Sequence, residues 1–316
     1  MKKQVAVTIP ATSANLGPGF DCLGLALALY NHVTFTATFA DSEQPVTQST
    51  LTIEATGLDA EKVPTDATNL VYQMANCLFE RVGKRPSHLH IQQENHIPVG
   101  SGLGSSSTAV LAGLLGANAL MGDPFTQAEL LDMATAEEGH PDNVAPALLG
   151  GLVLGVMHGE QVHIEPLPIA AQQIVIVTPH FQLLTKDARA ALPSHISRQD
   201  AIFNASRLPL LIRALATADY PTLALAMQDK LHQPYRLPLI PGMADAFTAA
   251  TAAGASGVAL SGAGPSLIAF ARDGHEEIVG AVTAVFQQNN LASHNWILAI
   301  DTTGTQISKL ASQGTI

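Results

Sequence analysis

The chain has 316 residues, two cysteines and a formal net charge of −11, and 47% of it is hydrophobic. At 33.0 kDa it exceeds one comfortable core, so two domains sharing a cleft are expected, yet no apolar run approaches the eighteen or so residues that a membrane span requires. The acidic balance (pI about 5.4) and the lack of a Lys/Arg cluster exclude nucleic acid and anionic membranes as partners. Cys22 and Cys77 cannot build a disulfide framework, and no apolar leader follows Met1, which points to a reducing cytoplasm.

Residues 5–9 alternate and are rich in β-branched side chains, so they read as a strand entering a turn at Gly17, Pro18 and Gly19. Strands over 23–29 and 33–39 follow. Asn15 and Asp21 flank the turn. Asn15 suits turn formation through its own side chain, whereas Asp21, between Phe20 and an apolar run, needs a cationic partner; a substrate ammonium would serve. Cys22 beside it reads as a small buried residue. Residues 41–66 are polar and read as a hairpin and loop, 69–81 as a helix and 88–91 as a strand. His88 and His90 share a face of that strand, but no third ligand follows at a familiar spacing, so they read as solvated.

The next stretch is Pro98, Val99, Gly100, Ser101, Gly102, Leu103, Gly104, Ser105, Ser106, Ser107 and Thr108. Its alternating glycines let the backbone turn tightly and approach a ligand. The serines then open an apolar helix running to Met121, whose unpaired N–H groups and positive dipole end face the loop. That is an anion cradle. It matches neither common phosphate motif, since Ser105 stands where Walker A needs a lysine and Ser107 where a dinucleotide fingerprint needs its third glycine.

Thr126 and Glu129 form a capping box that opens a helix running to Glu138. Glu138 falls on the inward face and in the last turn, where a negative charge opposes the helix dipole at roughly 0.3–1 kcal/mol. Binding Mg²⁺ would reverse that sign; Glu137 is the fallback, and a partly exposed terminal acid is the plain alternative. His140, Pro141, Asp142 and Asn143 make a polar turn into a short helix ended by Gly150 and Gly151, and a strand over 152–157 closes the first half. The second half reads as a strand (174–177), a short helix (185–193), helices over 197–217, 221–231 and 243–253, and strands 257–260 and 267–271 about a Gly-rich turn. A helix (275–288) and a last strand (295–300) complete it. The whole is α+β, an antiparallel sheet arrangement with helices on one face.

Residues 10–27, 98–108 and 260–267 together resemble the three signature motifs of the GHMP kinases, small-molecule kinases named for galactose, homoserine, mevalonate and phosphomevalonate. The first segment is similar to the homoserine kinase branch. The resemblance runs from near Lys3 to beyond Ile300. It implies a two-lobed GHMP kinase fold, with an ATP-binding lobe over 1–165 like the second domain of ribosomal protein S5 and a ferredoxin-like lobe over 166–316. Residues within 280–316 are candidates for a return to the first lobe.

The resemblance also implies ATP-dependent phosphorylation of the L-homoserine side-chain hydroxyl, for threonine biosynthesis, by a cytoplasmic homodimer. The 98–108 loop would hold the triphosphate, with Ser106 and Glu138 as Mg²⁺ ligands. Asp21, assisted by Asn15, would take the acceptor's ammonium. Arg189 and Arg236 match the two arginines that hold its carboxylate, a pairing that suits the planar guanidinium. Asn143, with His140 nearby, would hold the reacting hydroxyl. Asp142 stands where other superfamily members place a catalytic aspartate; it is here either a helper or the cap of the following helix. A relative acting on a sugar or isoprenoid alcohol, or a silent relative that only binds nucleotide, are the competing readings.

Overall fold

The structure, a computed structural model, describes residues 1–40 and 49–310. The first half comprises β1 (Lys2–Asn15), β2 (Gly19–Thr38), β3 (Thr50–Gly57), α1 (Leu70–Val82), β4 (His88–Asn95), α2 (Ser105–Met121), α3 (Gln127–Glu138), α4 (Val144–Leu149), β5 (Leu152–His158) and β6 (Gln161–Leu167). The second comprises β7 (Gln173–Pro179), α5 (Thr185–Ala190), α6 (Arg198–Thr217), α7 (Tyr220–Ala226), α8 (Gln233–Arg236), α9 (Met243–Ala252), β8 (Gly257–Leu260), β9 (Leu267–Phe270), α10 (His275–Gln288), β10 (Ser293–Ala299) and β11 (Gln306–Leu310).

Val5, Val7 and Ile9 are buried, and β1 pairs antiparallel with β2 along its whole length. The two strands expected over 23–29 and 33–39 are one. Between Pro10 and Ala11 the register shifts from Tyr30 to Leu27, so Ala28 and Leu29 face no residue of β1. This bulge interrupts the alternation while the ladder continues. Leu23, Leu25 and Leu27 thereby join a different core from Val33, Phe35 and Ala37.

The hairpin expected within 41–66 is not formed by its described part. β3 instead pairs parallel with β4, because α1 carries the chain across between them, as parallel pairing demands. Residues 41–48 lie outside the described residues. The first sheet runs β11–β1–β2–β4–β3, with β5 and β6 branching from β2. One face packs on α1, α2, α3 and α4. The last described strand, β11, pairs with β1 and so returns from the second half to the first sheet.

The second sheet has the order β10–β7–β9–β8, all antiparallel. Here both faces are covered rather than one. Val175 and Val177 pack on α9 and α10, whereas Ile174 and Ile176 face α6, α7 and the first-half residues Leu16, Leu23 and Leu103. A single apolar core therefore joins the two halves. The helix expected over 221–231 stops at Ala226, because the Asp229 carboxylate captures the backbone N–H groups of Leu231, His232 and Gln233 and curls that segment out of helix.

Candidate active site

α2 is buried nearly all round, which holds its N-terminus rigidly behind the glycine loop. Gly100, Gly102 and Gly104 are all left-handed, and the first bond of the helix runs from Thr108 N–H to the Gly104 carbonyl. The N–H groups of Ser105, Ser106 and Ser107 therefore lie ahead of the helical ladder, free to meet an anion. The loop is fixed from both halves. Thr12 N–H reaches the Leu103 carbonyl, Ser266 N–H and Oγ reach the Ser101 carbonyl, and Asp59 accepts from Val99 N–H at 2.9 Å.

A cavity of about 530 Å³ opens over this loop. Val99, Gly100, Ser101, Gly102, Gly104 and the residues from Ser105 to Thr108 line it, as do Asn15, Asp21, Glu137, Glu138, His140, Asp142, Asn143, Arg189 and Arg236. Pro98 and Leu103 do not. The Pro98 carbonyl instead accepts from Ser101 Oγ, and the Leu103 side chain is fully buried.

Within the cavity three groups form. At the end of α3, Glu138 accepts from Ser106 Oγ at 2.6 Å and from Ser107 Oγ at 2.7 Å. Its own helix opposes a negative charge, but the N-terminus of α2 faces it and attracts one. At the turn into α4, His140 Nδ1 pairs with Asp142 Oδ1 at 2.5 Å, and Asn143 accepts from Thr12 Oγ1 at 2.8 Å. Asp142 does not cap α4; its carboxylate is turned to His140, and Asn143 stands at the cap position without a capping bond. At the mouth, Arg189 grips Asp21 with both terminal nitrogens, at 2.9 and 3.0 Å.

Asn15, Leu16 and Asp21 are left-handed despite their side chains. Such strain persists where surroundings over-determine it. Here Asn15 Oδ1 accepts from Asp21 N–H at 2.9 Å and Asn15 Nδ2 donates to the Gly262 carbonyl at 2.8 Å.

The patterns of the GHMP kinases N terminal domain and the GHMP kinases C terminal domain match residues 69–151 and 211–288. A homoserine kinase of Synechococcus sp. is 47% identical over 309 residues, spanning 97% of this chain and 98% of the relative. One of Synechocystis sp. is 45% identical over 306 residues, 96% of this chain and 98% of the relative. The crystal structure of homoserine kinase from Cytophaga hutchinsonii superposes with a TM-score of 0.83 at 31% identity, over 96% of this chain and 97% of that one. The chain belongs to the homoserine kinase family of the GHMP kinases.

For a GHMP kinase the electrostatics of this cavity are pointed. Burial would lower the His140 pKa, but the Asp142 hydrogen bond and charge outweigh it and raise it. Arg236 is 1% exposed; burial and the like charge of Arg189 push its guanidinium down to about 10, still protonated at neutral pH. The Arg189 pKa is raised by its hydrogen bonds to Asp21. The Cys22 thiol, half-buried, is pushed up to about 11 by burial and by Asp142 and Asp21, which leaves it inert rather than nucleophilic.

Sequence reasoning missed Thr12, Ser107 as a Glu138 donor, Phe20 and His232. Thr12 and Phe20 lie inside the first motif segment, so their positions were visible but their partners were not. Phe20 has Arg189 and Arg236 at 5.7 and 5.1 Å from its ring centre. The donor set at Ser106 and Glu138, a hydroxyl and a carboxylate oxygen beside the anion cradle, fits a hard divalent cation that keeps waters and phosphate oxygens.

Proposed function

We propose that the protein transfers the γ-phosphoryl group of ATP to the side-chain hydroxyl of L-homoserine, giving O-phospho-L-homoserine and ADP on the route to threonine. The observation that carries this reading is the mouth of the cavity. One carboxylate, Asp21, and two arginines, Arg189 and buried Arg236, stand beside a backbone anion cradle. That set answers an ammonium, a carboxylate and a triphosphate together.

The N–H groups ahead of α2 would hold the β- and γ-phosphates, and the side of the cavity lined by Val63, Pro64 and Leu70 would take the base. Ser106 and Glu138 would hold Mg²⁺, which neutralises phosphate charge when bound. An incoming zwitterion would enter the Asp21–Arg189 pair, its ammonium on Asp21 and its carboxylate on Arg189 and Arg236. Asn143, steadied by Thr12, and His140, steadied by Asp142, would then orient the hydroxyl for in-line attack on the γ-phosphorus, its proton passing to a γ-phosphate oxygen or to solvent as the bond to the β–γ bridging oxygen breaks and ADP leaves. Asp142 serves as the helper that orients its two neighbours. We assign residues 1–165 to the ATP-binding lobe and 166–316 to the lobe that completes the acceptor cleft, except that β6 carries the first sheet on to Leu167 and β11 returns to it.

A coupled ADP-release assay across homoserine, mevalonate and galactose tests the reading. Turnover is expected with homoserine alone, and Arg189→Ala and Arg236→Ala should each raise its KM by about tenfold or more, as loss of a charged hydrogen bond implies. A flat response to homoserine would overturn the assignment.

A further inference from the structure

His232 belongs to no motif, yet it is fully buried between the two groups that would bracket the acceptor. Its Nε2 lies 2.9 Å from the Gly17 carbonyl, and its Nδ1 lies 3.3 Å from Arg236 Nη1. A carbonyl can only accept and a guanidinium can only donate. Both contacts are satisfied by one form of the ring, neutral with its proton on Nε2.

Full burial, with the facing Arg236 guanidinium, holds the imidazole neutral against the charge of Asp229, whose Oδ2 lies 3.6 Å from Nε2 and favours a protonated ring. The Nε2 proton is on the side of that carboxylate. The Asp229 carboxylate accepts from Asn204 Nδ2 at 2.7 Å and from the N–H groups of Leu231, His232 and Gln233, so it builds the loop that presents the imidazole. The ring stacks on Phe20 at 5.1 Å, the same ring that Arg236 overlies. Gly17 and Phe20 belong to the turn that carries Asp21. His232 thus touches the first-half turn with one nitrogen and the second-half arginine with the other.

The choice of partner has a physical consequence. The hydrogen-bond partners of Arg236 are the carbonyls of Ala188 and Gly262 and this imidazole, none of them a carboxylate. A carboxylate there would neutralise the guanidinium and weaken its pull on an anion, whereas a neutral acceptor aims it and leaves its charge available.

We propose that His232 is a positioning residue for the acceptor, its unprotonated Nδ1 holding Arg236 at the spacing from Asp21 that recognises an α-carboxylate beside an ammonium. This rests on the reading of Arg236 as a carboxylate holder. Two variants separate the roles of the nitrogens. In His232→Gln the amide nitrogen can replace Nε2 while the acceptor toward Arg236 is lost. In His232→Asn the amide oxygen can replace Nδ1.

The measurement is the preference, as kcat/KM, for homoserine over its carboxyl-free analogue 2-amino-1,4-butanediol, with Arg236→Ala alongside. His232→Gln should raise the homoserine KM about tenfold with kcat and the ATP KM within about twofold, and shrink the preference by a similar factor; His232→Asn should lose less than about threefold. General loosening of the fold would lower activity on both substrates alike. If Arg236→Ala shrinks the preference and His232→Gln does not, this inference falls and the carboxylate reading stands. If Arg236→Ala leaves the preference intact, the carboxylate reading itself falls. Nitrogen chemical shifts of labelled wild-type protein give a check that needs no variant, since a protonated Nδ1 at His232 would overturn the proposal.

Discussion

Glu138 ends its helix where its charge is least welcome, and two hydroxyls with a facing helix N-terminus reverse the balance. The carboxylate can accept from Ser106 and Ser107 at once, one hydroxyl on each oxygen. Glu138→Gln keeps the shape but turns a donor toward one serine, whose hydroxyl can rotate to accept. Stability should therefore shift by no more than about 1 kcal/mol in urea unfolding, while phosphoryl transfer falls by about a hundredfold or more as the hard anionic ligand is lost. Unchanged turnover would remove Glu138 from the metal role. The same residue shows what sequence can convey: its inward face and unfavourable terminus were readable from spacing, but the second serine that steadies it was not, because that contact joins residues 31 apart in the chain.

Among elements, the glycine loop and the turn over 261–266 work as one piece. A Cβ on Gly102 would run into the carbonyl oxygens of Ser261 and Gly264, whereas a Cβ on Gly100 would meet nothing within 4 Å, and both residues are left-handed. The two substitutions therefore separate steric docking from backbone strain. Gly100→Ala should cost about 1 kcal/mol and Gly102→Ala at least about 2 kcal/mol more in urea unfolding, with the nucleotide KM rising in the second alone. Equal losses would mean that the loop and the turn do not depend on each other's approach. The loop, α2 and the capping box of α3 were legible in the sequence because each is a local pattern of glycine, apolar spacing or paired cap residues. The parallel β3–β4 pair and the early end of α7 were not. The first depends on a crossover, and the second on a carboxylate, Asp229, that competes with the helix for its N–H groups.

At the scale of the whole molecule, the two sheets share the core that Leu23, Leu103, Ile174 and Phe270 build together. Heat or urea should unfold such a molecule in one transition, since neither half keeps its apolar faces covered alone. The crossing back is held at Asp301, which is 4% exposed and accepts from Tyr30 Oη, Thr303 N–H and Gly304 N–H at 2.9, 3.0 and 2.6 Å. Asp301→Ala would orphan these donors and should cost about 2–4 kcal/mol while leaving a single transition; a second transition would show that the halves unfold separately. β11 then carries a lesson for anyone dividing the chain. It covers residues 4–8 of β1, so any fragment ending before 306 bares a β-branched sheet edge. Such an edge recruits a strand from another molecule, and isolated N-terminal halves would be expected to exchange strands or aggregate rather than stand as a free nucleotide-binding module.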